Sequence, residues 1–95
     1  MKKISVRINT MMGWKTVEGV PVKVGNISDL FAATPYLLPS SSVLNGRWNI
    51  THIPSGCCYM TYARSVKQAV ELFEDEIKSV GKERYQDAIY RAMKL

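Results

Sequence analysis

The chain has 95 residues, 46% apolar and 22% charged, with six glycines and four prolines. That length supports one hydrophobic core without disulfides or metals, and the composition excludes wholesale disorder and collagen-like or other low-complexity classes. Thirteen Lys and Arg against eight Asp and Glu leave a net charge of +5, and no apolar run approaches the roughly 18 residues of a membrane span.

Met1-Lys2-Lys3 is positive, but Ile4 to Asn9 then alternates apolar with polar, so no secretory core follows and a cytoplasmic protein is expected. Ile4, Val6 and Ile8 alternate with Ser5, Arg7 and Asn9, the period of a half-buried strand. Met11-Met12-Gly13 reads as a turn before Trp14. Val20, Val22 and Val24 mark a second strand. Pro21 cannot donate to a ladder, which places this strand at an edge or leaves it paired on one side there. Gly25-Asn26 closes it, and Leu30 to Thr34 reads as a short third strand ended by Pro35.

Pro35 to Gly46 holds two prolines, three successive serines and an Asn45-Gly46 pair, and reads as a long loop carrying Tyr36, Leu37 and Leu38. Arg47 to Ile53 is the next strand, with Trp48 and Ile50 on one face. Pro54-Ser55-Gly56 turns the chain tightly, and Cys57 to Tyr62 returns. Ser65 and Gln68 have the spacing of a capping box. Val66, Ala69, Val70, Phe73, Ile77 and Val80 then follow at helical spacing, with Glu71, Glu74, Asp75 and Lys78 opposite. Gly81 ends or kinks this helix, and Lys82 to Met93 resumes with Tyr85, Ala88, Ile89 and Ala92 on one face. Strands followed by helices predict a single α+β domain over residues 1–95. Its expected architecture is an antiparallel sheet of four to five strands, one long helix packed across a face and a second C-terminal helix.

The sequence offers little to catalysis. His52 is the sole histidine, and only Glu18 and Asp29 supply carboxylates in the sheet half, with nothing tying them to His52. His52, Cys57 and Cys58 are the candidate zinc ligands, but adjacent cysteines rarely converge on one ion. On a strand, such neighbours point to opposite faces, which also argues against a bridge between them. The helix carboxylates read as a solvated face, and no glycine-rich phosphate loop is present. The expectation is a non-enzymatic protein with no cofactor and no metal.

The charge is uneven. Residues 1–63 carry six Lys and Arg against two Asp and Glu, whereas residues 64–95 carry seven against six. The basic strands are interleaved with Trp14, Trp48, Tyr59 and Tyr62, ingredients that suit nucleic acid or an acidic protein surface.

The stretch Trp48-Asn-Ile-Thr-His-Ile-Pro-Ser-Gly56, then Thr61 and Ser65-Val-Lys-Gln68-Ala69, resembles a pattern in small phage and mobile-element accessory proteins. In that pattern a strand of the form W-x-[VI]-T-H-x-x-[ST]-G turns into a second strand and then a capped helix. Such proteins include stoichiometric inhibitors of host defence, anti-CRISPR proteins among them. The resemblance spans residues 47–72, has no catalytic residues and has no counterpart for the first 45 positions. It implies a phage or mobile-element protein that binds and inhibits a host protein or nucleoprotein complex, a CRISPR-Cas effector being one such complex. A small basic nucleic-acid-binding protein is the alternative. The contact residues this reading selects are Tyr36, Leu37, Leu38, Arg47 and His52, with Lys2, Lys3 and Arg7 as steering charges. No membrane partner is expected; a homodimer through the C-terminal helix is a further expectation.

Overall fold

A computed structural model describes residues 2–10, 13–25, 30–38 and 42–94, with side chains to residue 88. The protein is α+β. Five strands run β1 (Ile4–Thr10), β2 (Gly13–Val22), β3 (Phe31–Leu37), β4 (Val43–His52) and β5 (Cys57–Ala63), followed by helices α1 (Val66–Val80) and α2 (Lys82–Lys94). The strands form one antiparallel meander in the order β1-β2-β3-β4-β5. The sheet coils until β1 meets the start of β5, where the Asn9 N–H donates to the Gly56 carbonyl at 3.0 Å.

The register assigns each residue to a face, because side chains alternate along a strand. Phe31, His52 and Cys57 form one row, and Ala33, Ile50 and Tyr59 the next. These face α1, whose buried stripe is Ala69, Phe73 and Ile77. Phe31, Phe73 and Tyr85 pack there with ring centroids 5.2–6.2 Å apart, in tilted and edge-on geometries that suit aromatic quadrupoles. On the other face Ala32, Thr51 and Cys58 are in register, beside Thr34 and Asn49. The β1–β2 hairpin closes over this face with Val6, Ile8 and Val17. Gly19 permits the close approach: a Cβ there would stand 3.0 Å from both the Ala33 carbonyl oxygen and Val6.

Several expectations change in detail. The second strand begins at Gly13, well before Val20; Met11 and Met12 of the expected turn lie outside the described residues, as does Asn26. At Pro21 the strand is paired on one side only, with Ala32 of β3, because the β1 ladder has stopped at Gly19. The long loop from Pro35 to Gly46 is not there. Strand β3 continues through Pro35 to Leu37, and β4 starts at Val43, with Leu44 opposite Tyr36 and Val43 opposite Leu37. Proline is tolerated at this point because the β2–β3 ladder ends at Ala33, so β3 has a partner on one edge only. Residues 39–41 of the connection lie outside the described ones.

The helix cap forms with one difference. The Ser65 hydroxyl accepts from the Gln68 N–H at 3.0 Å, but the Gln68 side chain accepts from the Arg64 N–H at 2.8 Å rather than from that of Ser65. Glu74, expected on a purely solvated face, accepts from the Gly25 N–H at 2.8 Å and ties α1 to the end of the β2 arm. Among the described residues no helix is long and apolar enough to cross a membrane.

Candidate functional site

The site is built by two irregularities in β4. On the β3 side, Tyr36 pairs with Leu44 and Pro35 with Trp48, so Asn45, Gly46 and Arg47 have no partner in that ladder. Gly46, at φ +82°, supplies the left-handed step that such a bulge requires. On the β5 side, Trp48 pairs with Ala63 and Ile50 with Tyr59, leaving Met60, Thr61 and Tyr62 opposite Asn49 alone.

Asn49 replaces the missing ladder. It is buried, and its Oδ1 accepts from the Thr61 N–H at 3.1 Å and the Tyr62 N–H at 3.2 Å. The Thr61 hydroxyl donates to the Trp48 carbonyl at 2.7 Å. The bulge forces Tyr62 to φ +54°, the one described non-glycine residue with positive φ, a conformation that costs roughly 1–2 kcal/mol for an L-residue with a Cβ. In return the Tyr62 ring is thrown outward, 50% exposed.

Around that ring the sheet gathers its chemistry. The Arg47 guanidinium lies over the Tyr62 face, 4.4 Å from the centroid. Tyr36 meets its edge in a T-shaped contact at 5.1 Å. Trp48 is half-buried alongside, packed on the α1-facing core. Exposed Leu38 and Val43 stand at the tip of the β3–β4 hairpin, where the Leu38 N–H donates to the Ser42 carbonyl at 2.9 Å. The arrangement is a preformed platform of two aromatic rings and a stacked cation.

The expected contact residues divide accordingly. Tyr36 and Arg47 come together on the Tyr62 ring, and Leu38 is exposed at the hairpin tip. Leu37 turns the other way and packs against the cluster of Val6, Ile8, Val17 and Ala32. His52 leaves the surface altogether: it is 3% exposed, 5.4 Å from the Phe31 ring, with Nδ1 2.8 Å from the Ser55 hydroxyl. Its neighbours bury it because the hairpin strand is covered on both faces. Of the steering charges, Lys2 is exposed, Lys3 reaches Glu18 at 3.9 Å, and Arg7 stacks over Trp14 at 4.7 Å. Asn49 is what the sequence reading missed; Tyr62 was named only among the interleaved aromatics and not placed with Tyr36 and Arg47. An Asn between Trp48 and Ile50 in an otherwise strand-favouring run was the available signal.

A groove of about 390 Å³ begins beside the platform, between the β2 edge and the β4 bulge. Its walls include Lys3, Lys15, Thr16 and Glu18 on one side and Asn45 to Trp48 on the other, with Val17, Val20 and Pro35 at the base.

The residues that would serve chemistry are arranged otherwise. Cys57 and Cys58 are free thiols on opposite faces. Burial, the largest influence, pushes the Cys58 thiol above its ordinary value, against the lowering effect of hydrogen bonds from Thr51, Asn49 and Thr34. A buried protonated thiol is a poor nucleophile. No cluster of three His, Cys, Asp or Glu able to hold a metal occurs among the described residues. No protein-family model matches the chain, and neither a curated protein nor a solved structure matches it.

Proposed function

We propose that this is a non-enzymatic binding protein whose working surface is the Tyr36–Tyr62–Arg47 platform. The observation that carries the reading is the geometry of Tyr62: a strained backbone, held by a buried Asn49, spends stability to expose a ring already engaged by Arg47 and Tyr36. Tyr, Trp and Arg are the residues that dominate protein interfaces, and ordering them beforehand lowers the entropy lost on binding. Exposed Leu38, two residues beyond Tyr36, suits a protein surface better than a polyanion. The net charge of +5 favours an acidic partner.

The partner class in this proposal is a host protein or nucleoprotein complex, a CRISPR-Cas effector among the candidates, inhibited by occupancy in the bacterial cytoplasm. That context, and the phage or mobile-element setting, rest on the Trp48–Gly56 resemblance; the surface rests on the geometry.

The test is affinity capture from bacterial lysate, with and without nuclease, comparing the native chain with Tyr62→Ala and Arg47→Ala. A discrete protein retained after nuclease and lost with either variant supports the proposal. Each substitution is expected to weaken that complex by roughly 2 kcal/mol, about thirtyfold. Equal capture by both folded variants overturns the platform assignment.

Nucleic acid is the second reading, favoured by the additional guanidinium–ring stack of Arg7 on Trp14 in the basic sheet half. It requires nuclease-sensitive capture and an affinity that falls steeply with salt.

A further inference from the structure

The groove beside the platform runs along the edge of a strand rather than across a face. Lys15, Thr16, Val17 and Glu18 all line it. Successive side chains of a strand point to opposite faces, so four consecutive residues share one groove only if the backbone edge itself forms the wall. The ladders agree. Gly13 to Gly19 pair with β1 alone, and pairing with β3 is confined to Val20, Pro21 and Val22. The opposite wall is the β4 run Val43 to Trp48, of which Asn45, Gly46 and Arg47 lie outside the β3 ladder. Between them lies Pro35, whose nitrogen carries no hydrogen. The sheet therefore has a gap where β2 has left β3, bounded by open backbone on one side.

The charges around this gap are Lys3, Lys15 and Arg47 against Glu18, and Glu18 is itself engaged by Lys3 at 3.9 Å. The base is apolar, from Val17, Val20 and Pro35. The four edge residues span roughly 13 Å, at about 3.3 Å per residue.

We infer that this gap accepts an extended acidic segment of a partner protein as an added strand on the open edge of β2. Main-chain hydrogen bonds to Lys15–Glu18 supply affinity. Alternate side chains of the segment divide between the apolar base and the basic rim, where carboxylates meet Lys3, Lys15 and Arg47. The inference deepens the binding-protein reading and rests on it for the existence of a protein partner, but its own test does not need that partner.

The test uses a fluorescein-labelled octapeptide of alternating Val and Glu, followed by fluorescence anisotropy. Two further versions are N-methylated on every Val or on every Glu. An alternating Val–Lys peptide and an oligothymidine of the same length are the comparison probes. The expected result is saturable binding of the Val–Glu peptide, loss with one methylation parity and retention with the other, and no binding of the Val–Lys peptide. Lys3→Glu with Lys15→Glu, both on the rim, should weaken binding about tenfold or more, with an unchanged thermal unfolding curve showing that the variant is folded. Loss with both parities, retention with both, or binding of oligothymidine in place of the Val–Glu peptide overturns the inference.

Tyr62→Ala separates the two proposals. Peptide binding that survives Tyr62→Ala while lysate capture is unaffected by the same change removes the platform and keeps the groove. Capture that needs Tyr62, with no peptide binding, does the reverse.

Discussion

The two faces of the sheet are built on different principles. The α1-facing side is packed by rings: Phe31, Phe73, Tyr59 and Tyr85 interlock, and their order is set by shape and apolar area. The inner side, under the β1–β2 hairpin, mixes Val6, Ile8, Val17 and Ala32 with buried polar groups. There the Thr34 and Thr51 hydroxyls share a hydrogen bond at 2.8 Å, and Asn49 holds the β5 bulge. Ring packing is set by volume and apolar area, whereas each buried hydrogen bond holds one particular backbone or hydroxyl group in place. The side that supports the platform is thus the one in which single hydrogen bonds fix backbone conformation.

The contrast can be broken at several points. Phe73→Ala should cost the most stability, about 3–5 kcal/mol, because Phe73 is 1% exposed and contacts the rings of Phe31, Tyr59 and Tyr85. Urea unfolding measures the loss, and partner binding by the remaining folded fraction should be little changed.

Asn49→Ala should cost about 1–3 kcal/mol, since it strands the Thr61 and Tyr62 N–H groups. Its effect on binding should exceed that of Phe73→Ala, because Tyr62 loses the contact that holds it at positive φ. If Asn49→Ala bound as well as the native chain at equal folded fraction, Asn49 would not be the positioning residue.

Alkaline stability separates the faces further. The folded state holds the Cys58 proton more tightly than the unfolded chain does. Its contribution is therefore complete below the ordinary thiol value of 9.0 and is lost as the pH climbs through the raised one. Stability should decline above about pH 9, and Cys58→Ala should flatten part of that decline in unfolding curves taken across the range. The Tyr59 phenol is also raised, by desolvation and then by Glu76, and acts in the same direction at higher pH. In labelling with iodoacetamide, exposed Cys57 should react first and Cys58 only after unfolding.

Arg47→Ala should have the smallest effect on stability, about 0.5–1 kcal/mol for the lost cation–π contact at the surface. Calorimetric melting that showed a much larger loss would make Arg47 a structural residue.

Much of the architecture was legible along the chain because the responsible forces are local. Alternation marked Ile4–Asn9 and the Arg47–Tyr62 hairpin, and Pro54-Ser55-Gly56 marked its turn, closed by the Gly56 N–H on the His52 carbonyl at 2.8 Å. Ser65, the apolar stripe and Gly81 marked α1, whose C-cap Gly81 sits at φ +95°. Half of the candidate site was legible as well: Tyr36 and Arg47 meet through Tyr62. The Pro35–Gly46 segment misled because proline and an Asn-Gly pair normally break a ladder. Here the ladder had already lost a partner at Pro35, and Asn45-Gly46 sits in a bulge within β4.

The sequence by itself determined the element order, the α+β class, the opposite orientation of Cys57 and Cys58 and the basic character of the sheet half, because periodicity, capping and charge are properties of neighbouring residues. The tertiary structure alone decided that His52 is buried, that Leu37 turns inward, that Asn49 forces Tyr62 into view and that β2 leaves an open edge opposite the β4 bulge. Those outcomes depend on how the sheet coils and which strands remain paired, and coiling and register arise from contacts between residues far apart in the chain.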